Sequence, residues 1–184
     1  MKSLYSKERI NYTGRELRSH FAYNRFDLAG DSLVAFCGAC DVKIDALVDL
    51  EDIKAKAGIY SEDMLHFIGE FFHADLEKII LVQRVLMAII KDEIASQSGK
   101  ELFRKGDDIY DGDAKLSVSI ATSSPVSTLI HTGINIISDN TPVKTKGLND
   151  YGIEVAPVAE NILRQFKNEI ADIKFARCKV RGVL

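Results

Sequence analysis

The stretch that decides the fold is DDIYDGDAKLSVSIATSSPVSTLIHTGIN, residues 107–135. From position 116 to position 121, large apolar residues alternate with serine and alanine, a pattern typical of a strand with one buried face. A turn sequence, Ser123–Pro125, comes next and leads into a second run of β-forming residues. The sequence therefore predicts that Lys115–Thr122 and Thr128–Ile137 form a pair of antiparallel strands.

Helices are predicted where apolar residues recur at helical spacing. Asp75 is a suitable amino-terminal cap for the first long helix, which ends at Gly99. A second long helix begins near Pro157, and its inner stripe is Ile162, Leu163, Phe166, Ile170 and Ile173. A shorter helix is expected over Asp49–Ala57, where acidic residues occupy the first turn.

Further strands are predicted from short apolar runs. Leu33–Phe36 fits a buried strand, Met64–Phe72 fits a strand or a helix, and Lys174–Val183 fits a strand. Strands and helices are mixed without a regular β–α–β alternation. We therefore expect an α+β fold with a mostly antiparallel sheet packed with helices, in a single domain over residues 1–184.

Composition and charge argue against several classes of protein. With 184 residues and 46% hydrophobic content, the chain is long enough for a substantial core. The net charge of −3 gives no field that would attract nucleic acid or an anionic membrane. Gln83 and Arg84 interrupt the most apolar segment, residues 79–90, which is too short to cross a bilayer. The amino terminus lacks the apolar core of a signal peptide, so a cytoplasmic protein with reduced cysteines is expected.

The predicted strand pair brings together a candidate ligand site. Side chains two positions apart share a face, so Lys115, Ser117 and Ser119 should point the same way. The residues that share a face of the next strand are His131, Gly133 and Asn135. If the two faces are aligned, they form a surface of small polar groups on which a ligand lies flat, because glycine and serine permit close approach. Lys115 then meets the anionic group of that ligand.

Two acidic residues precede this surface. Asp107 and Asp108 are candidate ligands of a Mg²⁺ ion, which proteins hold with carboxylates and substrate phosphates. Together with Lys115 they suggest activation of a carboxylic acid by ATP, in which positioning and charge stabilisation supply most of the catalysis. A non-functional interpretation is also open, since lysines that begin strands and Asp-Gly turns are common features of protein surfaces.

The order of these residues resembles that in biotin and lipoate protein ligases. In those families an Asn-Asp pair precedes a strand that begins with lysine, and a Gly-x-Asn strand follows; the corresponding positions here are Asp108, Lys115 and the Gly-Ile-Asn of 133–135. The resemblance implies that Lys115 contacts the acyl carbonyl and the phosphate of an acyl-adenylate. Asp107 stands where those families have asparagine, and His131 resembles the histidine of the lipoyl-transfer branch.

The whole chain also resembles an uncharacterised, largely archaeal family, domain of unknown function 366. The segments that carry this resemblance are GDSLVAF, MLHFI, KLSVSIAT and ARCKVR, which begin at residues 30, 64, 115 and 176. It implies the fold of class II synthetases and biotin ligases, without an activity. The glycine- and arginine-rich adenylate loops of the ligases have no counterpart in the sequence. Lys146–Ile153 has no cysteine, which argues against an octanoyltransferase that uses an acyl-cysteine there.

Three functional hypotheses follow, because one fold hosts many functions. The first is an acyl-adenylate-forming ligase or acyltransferase that uses ATP, Mg²⁺ and a small carboxylic acid, with an acceptor protein as a further partner. The second is a non-catalytic module that binds a small molecule on the same fold. The third is a thiol-based metal or redox protein centred on Cys37 and Cys40, against which a turn with two ordinary cysteines is the alternative.

Two other features are interpreted as structural. His66 lies in an apolar run and is expected to be a core or edge residue. Arg177, Lys179 and Arg181 alternate with other residues, which is typical of an edge strand protected by charge.

Overall fold

The computed structural model describes residues 1–73 and 75–183. Its strands are β1 (Lys2–Tyr5), β2 (Ser32–Val42), β3 (Ile59–Phe71), β4 (Phe103–Lys105), β5 (Asp108–Asp111), β6 (Ala114–Lys115), β7 (Ser117–Ser123) and β8 (Thr128–Asn135). A five-stranded sheet has the order β1-β2-β3-β8-β7, and β4, β5 and β6 form a small second sheet. β1 is parallel to β2, whereas the other paired strands are antiparallel. The mostly antiparallel α+β fold is thus confirmed.

The second, third and fourth helices begin within a few residues of where the sequence predicts, whereas the first helix is not predicted by the sequence. The helices are α1 (Phe21–Phe26), α2 (Leu50–Ala55), α3 (Leu76–Ser98) and α4 (Val155–Cys178). Asp75 caps α3 by accepting a hydrogen bond of 2.9 Å from the N–H of Lys78. The helix ends at Gly99, whose left-handed backbone conformation (φ 65°) suits glycine. Asp49 caps α2 in the same way.

The large sheet buries apolar side chains on both faces. α3 and α4 pack against the side that carries Leu33, Leu65 and Ile130, which we call the helix face. Val34 and Met64 belong to the other side, which we call the cavity face. Burying one such side chain stabilises the fold by roughly 1.5–3 kcal/mol, so both faces contribute to stability.

The amino-terminal segment that follows β1 crosses the cavity face. The N–H of Ile10 donates to the carbonyl of Cys37 at 2.9 Å, and the N–H of Tyr12 donates to the carbonyl of Ala39 at 2.8 Å. Gly38 lies directly beneath this crossing, and a Cβ atom there would stand 2.0 Å from the carbonyl oxygen of Ile10. The crossing therefore depends on glycine at this position.

The predicted strand pair is confirmed, but both strands are shorter than expected. β7 and β8 pair along their whole length. Lys115 belongs to β6, because it pairs with Tyr110 of β5, and its backbone bonds to Lys144 and Lys146 rather than to β8. Ile136 lies beyond β8, because its N–H donates to the carbonyl of Asp63 at 2.9 Å. The ends of the two strands are thus set by contacts with residues that are distant in the sequence, in β3 and in the segment 144–146.

The apolar runs prove to be parts of longer strands. Leu33–Phe36 lies within β2, which continues through both Cys37 and Cys40, so the predicted turn at the cysteines is wrong. A register shift between Gly38 and Cys40 marks a bulge in this strand. Residues from Met64 onward form a strand rather than a helix.

The predicted strand at Lys174–Val183 is wrong. α4 continues through Cys178, and residues 179–183 have no regular structure. The cations Arg177, Lys179 and Arg181 are instead grouped around the carboxyl end of a helix, where positive charge is favourable. Ile173 is also exposed, although the rest of the predicted stripe is buried.

None of the helices in the described residues combines the length and the hydropathy that crossing a membrane requires.

Candidate functional site

A cavity of about 630 Å³ lies on the cavity face of the sheet. Tyr12, Met64, His131 and Asn135 line it from the sheet side. Its walls come from the connection between β2 and β3, which includes α2, and from segments within 107–120 and 141–145. A volume of this size is typical of sites for small ligands.

Lys115 lies in the wall of this cavity. The parallel bridge to Thr145 holds its backbone, with the N–H donating to the carbonyl of Lys144 at 3.0 Å. Its ammonium group lies 2.8 Å from a carboxylate oxygen of Asp108, and both side chains are largely buried. Burial raises the pKa of Asp108, while the charge of Lys115 acts in the opposite direction. The lysine is therefore held at the cavity by a partly exposed ion pair.

Asp107 is held from α3. Arg84 Nη1 lies 3.2 Å from one of its carboxylate oxygens, and Gln83 Nε2 donates to the other at 3.1 Å. Gln83 and Arg84, which interrupt the apolar segment of the sequence, thus position an acidic residue of the cavity. Asp108 is the first residue of β5, and Asp107 directly precedes this strand.

The two aspartates do not fit a Mg²⁺ ion as they are arranged. Asp107 and Asp108 both line the cavity, but each already bonds to protein cations or donors. Among the described residues, no group of three or more His, Cys, Asp or Glu side chains is placed to hold a metal ion. A Mg²⁺ ion at this point would have to replace Lys115 or Arg84 as a partner.

The charge of the lining is mainly negative. The charged residues around the cavity are Asp49, Glu51, Asp52, Lys56, Asp107, Asp108 and Lys115. Burial raises the pKa of Asp52, the charge of Asp49 adds to this effect, and the charge of Lys115 opposes it. The sequence pattern at Asp49 and Asp52 favours a helix start over a ligand site, because acidic residues in the first turn interact well with the helix dipole.

Ser117 and Ser119 do not share a face with His131, Gly133 and Asn135, so the predicted alignment of the two strands is wrong. Ser119 is paired with Thr132, which places it on the helix face. Its hydroxyl accepts a hydrogen bond of 2.8 Å from Gln83 Nε2. The hydroxyl of Ser117 accepts one of 2.9 Å from the N–H of Ile109. Both residues border the cavity at the sheet edge, but their hydroxyl groups are bonded inside the protein.

His131, Gly133 and Asn135 lie on the cavity face, but Gly133 has a different role from the one expected. A Cβ atom at this position would lie 2.9 Å from Cε of Met64. The space left by the missing side chain is therefore filled by Met64 and not by a ligand. Asn135 donates through Nδ2 to the carbonyl of Lys146 at 3.4 Å and lines the cavity together with His131.

A buried pair of histidines lies beside the cavity. Nδ1 of His66 is 3.1 Å from Nε2 of His131, and Nε2 of His66 is 3.1 Å from the carbonyl oxygen of Gly38. The ring of Tyr12 stacks on His131, with a centroid distance of 3.6 Å and an interplanar angle of 6°. Burial lowers the pKa of His66 to about 4 and lowers that of His131 well below its usual value. Both rings are therefore neutral at pH 7.

One signal for this pair is present in the sequence. Period two along β3 places His66 on the same side as Met64, but only the pairing of His66 with Gly133 brings it next to His131. Tyr12 carries no such signal, because it lies in an irregular segment.

Cys37 and Cys40 do not form a common site. Cys37 packs in the core of the helix face, and Cys40 packs in the core of the cavity face. Burial raises the pKa of both thiols, that of Cys40 to about 12. Two thiols on opposite sides of a strand cannot hold one metal ion or form a disulfide, so the thiol-based hypothesis is not supported.

Two relatives of unknown function match nearly the whole chain. The sequence profile of the family described as domain of unknown function (DUF366) matches residues 1–181. The uncharacterised protein MJ0805 of Methanocaldococcus jannaschii is 41% identical over 181 residues, which cover 95% of this chain and 81% of that protein. A solved protein of unknown function from Pyrococcus horikoshi is 38% identical, with a TM-score of 0.92 over 100% of this chain and 99% of that one.

More distant solved structures are a biotin protein ligase and a protein assigned as a lipoate protein ligase. Biotin protein ligase from Aquifex aeolicus, in complex with biotin and ATP, has a TM-score of 0.61 at 12% identity, over 94% of this chain and 72% of that one. Protein Ta0514 of T. acidophilum, assigned as a lipoate protein ligase and solved with lipoic acid, has a TM-score of 0.60 at 14% identity, over 91% and 84%. At these identities the likeness concerns the fold alone, and it confirms the fold predicted from the sequence.

Proposed function

Because the chain belongs to the DUF366 family and has the fold of biotin and lipoate protein ligases, we propose that it binds a small carboxylic acid beside Lys115 and activates it with ATP. The observation that carries this proposal is the position of the Lys115 ammonium in the wall of the cavity. A largely buried ammonium attracts a carboxylate more strongly than an exposed one, because water screens it less.

The proposed reaction joins the acid to AMP. A carboxylate oxygen of the acid attacks the α-phosphorus of ATP, the bond from that phosphorus to the bridging oxygen breaks, and pyrophosphate leaves. Lys115 stabilises the negative charge that accumulates between the two reactants. An amine of an acceptor protein then attacks the acyl carbon, and AMP departs. No role for Mg²⁺ is included, since the aspartates are engaged with Lys115, Arg84 and Gln83.

The ligands bound to two proteins of the same fold support this reaction. The biotin protein ligase of Aquifex aeolicus binds biotin and ATP on the same fold. Protein Ta0514 binds lipoic acid on it. Biotin and lipoic acid are both small carboxylic acids with an extended apolar part, and a cavity of about 630 Å³ can accommodate either of them.

A non-catalytic binding module is the second candidate. It is favoured by the lining of the cavity, in which carboxylates outnumber ammonium groups and would repel the phosphates of ATP. In this case Lys115 binds the acid, and no adenylate forms.

Two measurements separate the candidates. Thermal shift with ATP, biotin, lipoate and octanoate first identifies a ligand, since a ligand at about a hundred times its Kd stabilises by about 2.7 kcal/mol. Isotope exchange between pyrophosphate and ATP then reports adenylate formation with that acid. Acid-dependent exchange supports the ligase, binding without exchange supports the module, and no binding by any acid contradicts both.

A further inference from the structure

The stack of Tyr12, His131 and His66 is the most enclosed polar cluster beside the cavity. His66 is fully buried, and His131 is 3% exposed. Tyr12 covers the His131 ring almost in parallel, and the centroids of the two histidine rings are 5.4 Å apart. Such an arrangement leaves the His131 ring little freedom to rotate.

Only one assignment of donors and acceptors fits the hydrogen bonds of this cluster. The carbonyl of Gly38 accepts, so Nε2 of His66 must carry the proton that is donated to it. Nδ1 of a neutral His66 is then an acceptor, and it receives the N–H of His131 Nε2. A neutral His131 that is protonated on Nε2 has a lone pair on Nδ1. One backbone carbonyl thus determines the tautomer of both rings.

The remaining nitrogen of His131 has no partner inside the described residues. No hydrogen bond joins His131 Nδ1 to them, although the ring is almost completely buried. His131 lines the cavity, so this nitrogen is available to a molecule bound there. Nδ1 of His131 is not among the buried polar atoms that lack a partner in the described residues, so it keeps contact with the cavity. A ligand with a donor replaces water at this nitrogen by a hydrogen bond, whereas a ligand without a donor covers the nitrogen and leaves it unpaired.

We infer that His66 is a positioning residue that holds His131 in the Nε2–H tautomer, and that the ligand of the cavity carries an N–H or O–H donor for His131 Nδ1. The part that concerns the ligand rests on the proposed function. It restricts the class of acid: an acid with a polar N–H or O–H group away from its carboxylate fits the site, whereas a plain fatty acid leaves the nitrogen unpaired. Lys115 binds the carboxylate, and His131 Nδ1 accepts a hydrogen bond from the polar group at the other end of the molecule.

The tautomer can be tested without any ligand. The chain has four histidines, so long-range ¹H–¹⁵N spectra of the imidazoles can be assigned with one variant for each ring. At pH 7.5 we expect His131 to show a protonated Nε2 and an unprotonated Nδ1. In His66→Phe the Nδ1–H form of His131 should appear beside it, whereas His73→Gln, which changes a ring outside the cluster, should leave His131 unchanged. A cationic His131, or a protonated Nδ1 in the wild type, overturns the inference whether or not the variant folds.

The donor requirement is tested with biotin, whose ring has N–H donors, and with octanoate, which has none. In titration calorimetry on the full chain, biotin should bind more tightly than octanoate. The ratio of the two affinities should fall about tenfold in His66→Phe, as expected for one lost hydrogen bond. His73→Gln should leave this ratio unchanged. Equal affinity for both acids in the wild type overturns the donor requirement and leaves the proposed function intact. If none of the acids in the thermal-shift screen binds, the proposed function and the donor requirement fail together, while the spectra test the tautomer separately.

Discussion

The ammonium of Lys115 lies 2.8 Å from the carboxylate of Asp108, and both side chains are largely buried in the wall of one cavity. Any acid that binds Lys115 has to share this ammonium with Asp108 or displace it. Asp108 therefore has two opposing effects. It holds the lysine in place, and it competes with the acid for the same charge.

Lys115→Ala should nearly abolish acid-dependent pyrophosphate exchange while the chain still folds. The charge that Lys115 offsets is larger in the transition state than in the bound acid, so the loss should appear mainly in turnover. Removing one such stabilising group typically costs about 3–4 kcal/mol, a rate loss of several hundredfold. Lys115→Arg should restore little activity, because a planar guanidinium does not replace a compact ammonium.

The matched control is Lys144→Ala. Lys144 is also a lysine paired with an aspartate, Asp113, but its side chain is 68% exposed and does not line the cavity. Exchange should be unchanged in this variant. Full exchange in Lys115→Ala would remove Lys115 from the mechanism.

Asp108→Asn should tighten binding of the acid and slow exchange. The ammonium of Lys115 loses its competing carboxylate, so the ground state binds more strongly, but the lysine is no longer held in position. Folding stability at pH 7 should change little, since burial already disfavours the charged form of Asp108. Calorimetry gives the affinity and exchange gives the rate. Weaker binding of the acid would mean that Asp108 takes part in recognition instead of competing.

The folding stability should fall as the pH drops from about 6.5 to about 4. His66 has a pKa of about 4 in the folded chain against 6.5 for a free histidine. The unfolded chain therefore takes up a proton in this window that the folded chain excludes, and the contribution of His66 to stability is complete only above the window. The loss for one such group is roughly 1.4 kcal/mol per pH unit. Urea unfolding at pH 7.5, 6 and 5 measures it, and His66→Phe should show a smaller decline. An equal decline in that variant would assign the effect to other groups.

Gly133→Ala should destabilise the chain by about 1–3 kcal/mol, because the added methyl group overpacks the sheet. The nearest atom would be Cε of Met64, 2.9 Å away. The end of a methionine is flexible, so the double variant with Met64→Val should recover part of the loss. Thermal unfolding measures both. A single variant as stable as the wild type would show that Met64 moves aside without cost.

Cys40→Ser should cost more stability than Cys37→Ser. Sγ of Cys37 lies 3.6 Å from the hydroxyl of Tyr5, which can pair with a serine, whereas Cys40 is fully buried in the apolar core of the cavity face. A buried hydroxyl without a partner costs about 1–3 kcal/mol. Neither variant should change the affinity for the acid. Stoichiometric zinc in the purified protein, lost in the double variant, would revive the thiol-based hypothesis.

The sequence predicted the positions of the helices and strands better than the contacts between them. Helix caps such as Asp75 and Gly99, and alternation along β7 and β8, are local signals that depend on a few neighbouring residues. The ends of β8 and β6 depend on Asp63 and on residues 144–146, which no local pattern reveals.

The candidate site was also predicted only in part, because it too depends on contacts between residues that are distant in the sequence. Lys115, His131 and Asn135 do border one cavity, but the serines turn away, because the pairing of β7 with β8 is shifted by one residue from the expected alignment. A shift of one residue exchanges the faces of a whole strand. His66 became visible only through its pairing partner, Gly133.

The amino-terminal segment that crosses over Gly38 connects one edge of the large sheet with the cavity. Residues 2–5 complete one edge of the sheet, and a few positions later Tyr12 covers His131 beside the cavity. Removing the first dozen residues would therefore expose the open hydrogen-bonding edge of β2 to pairing with other chains and uncover the histidine pair at the same time. Shortened versions of this chain would aggregate and lose ligand selectivity together, so an intact amino terminus is a condition for every binding assay.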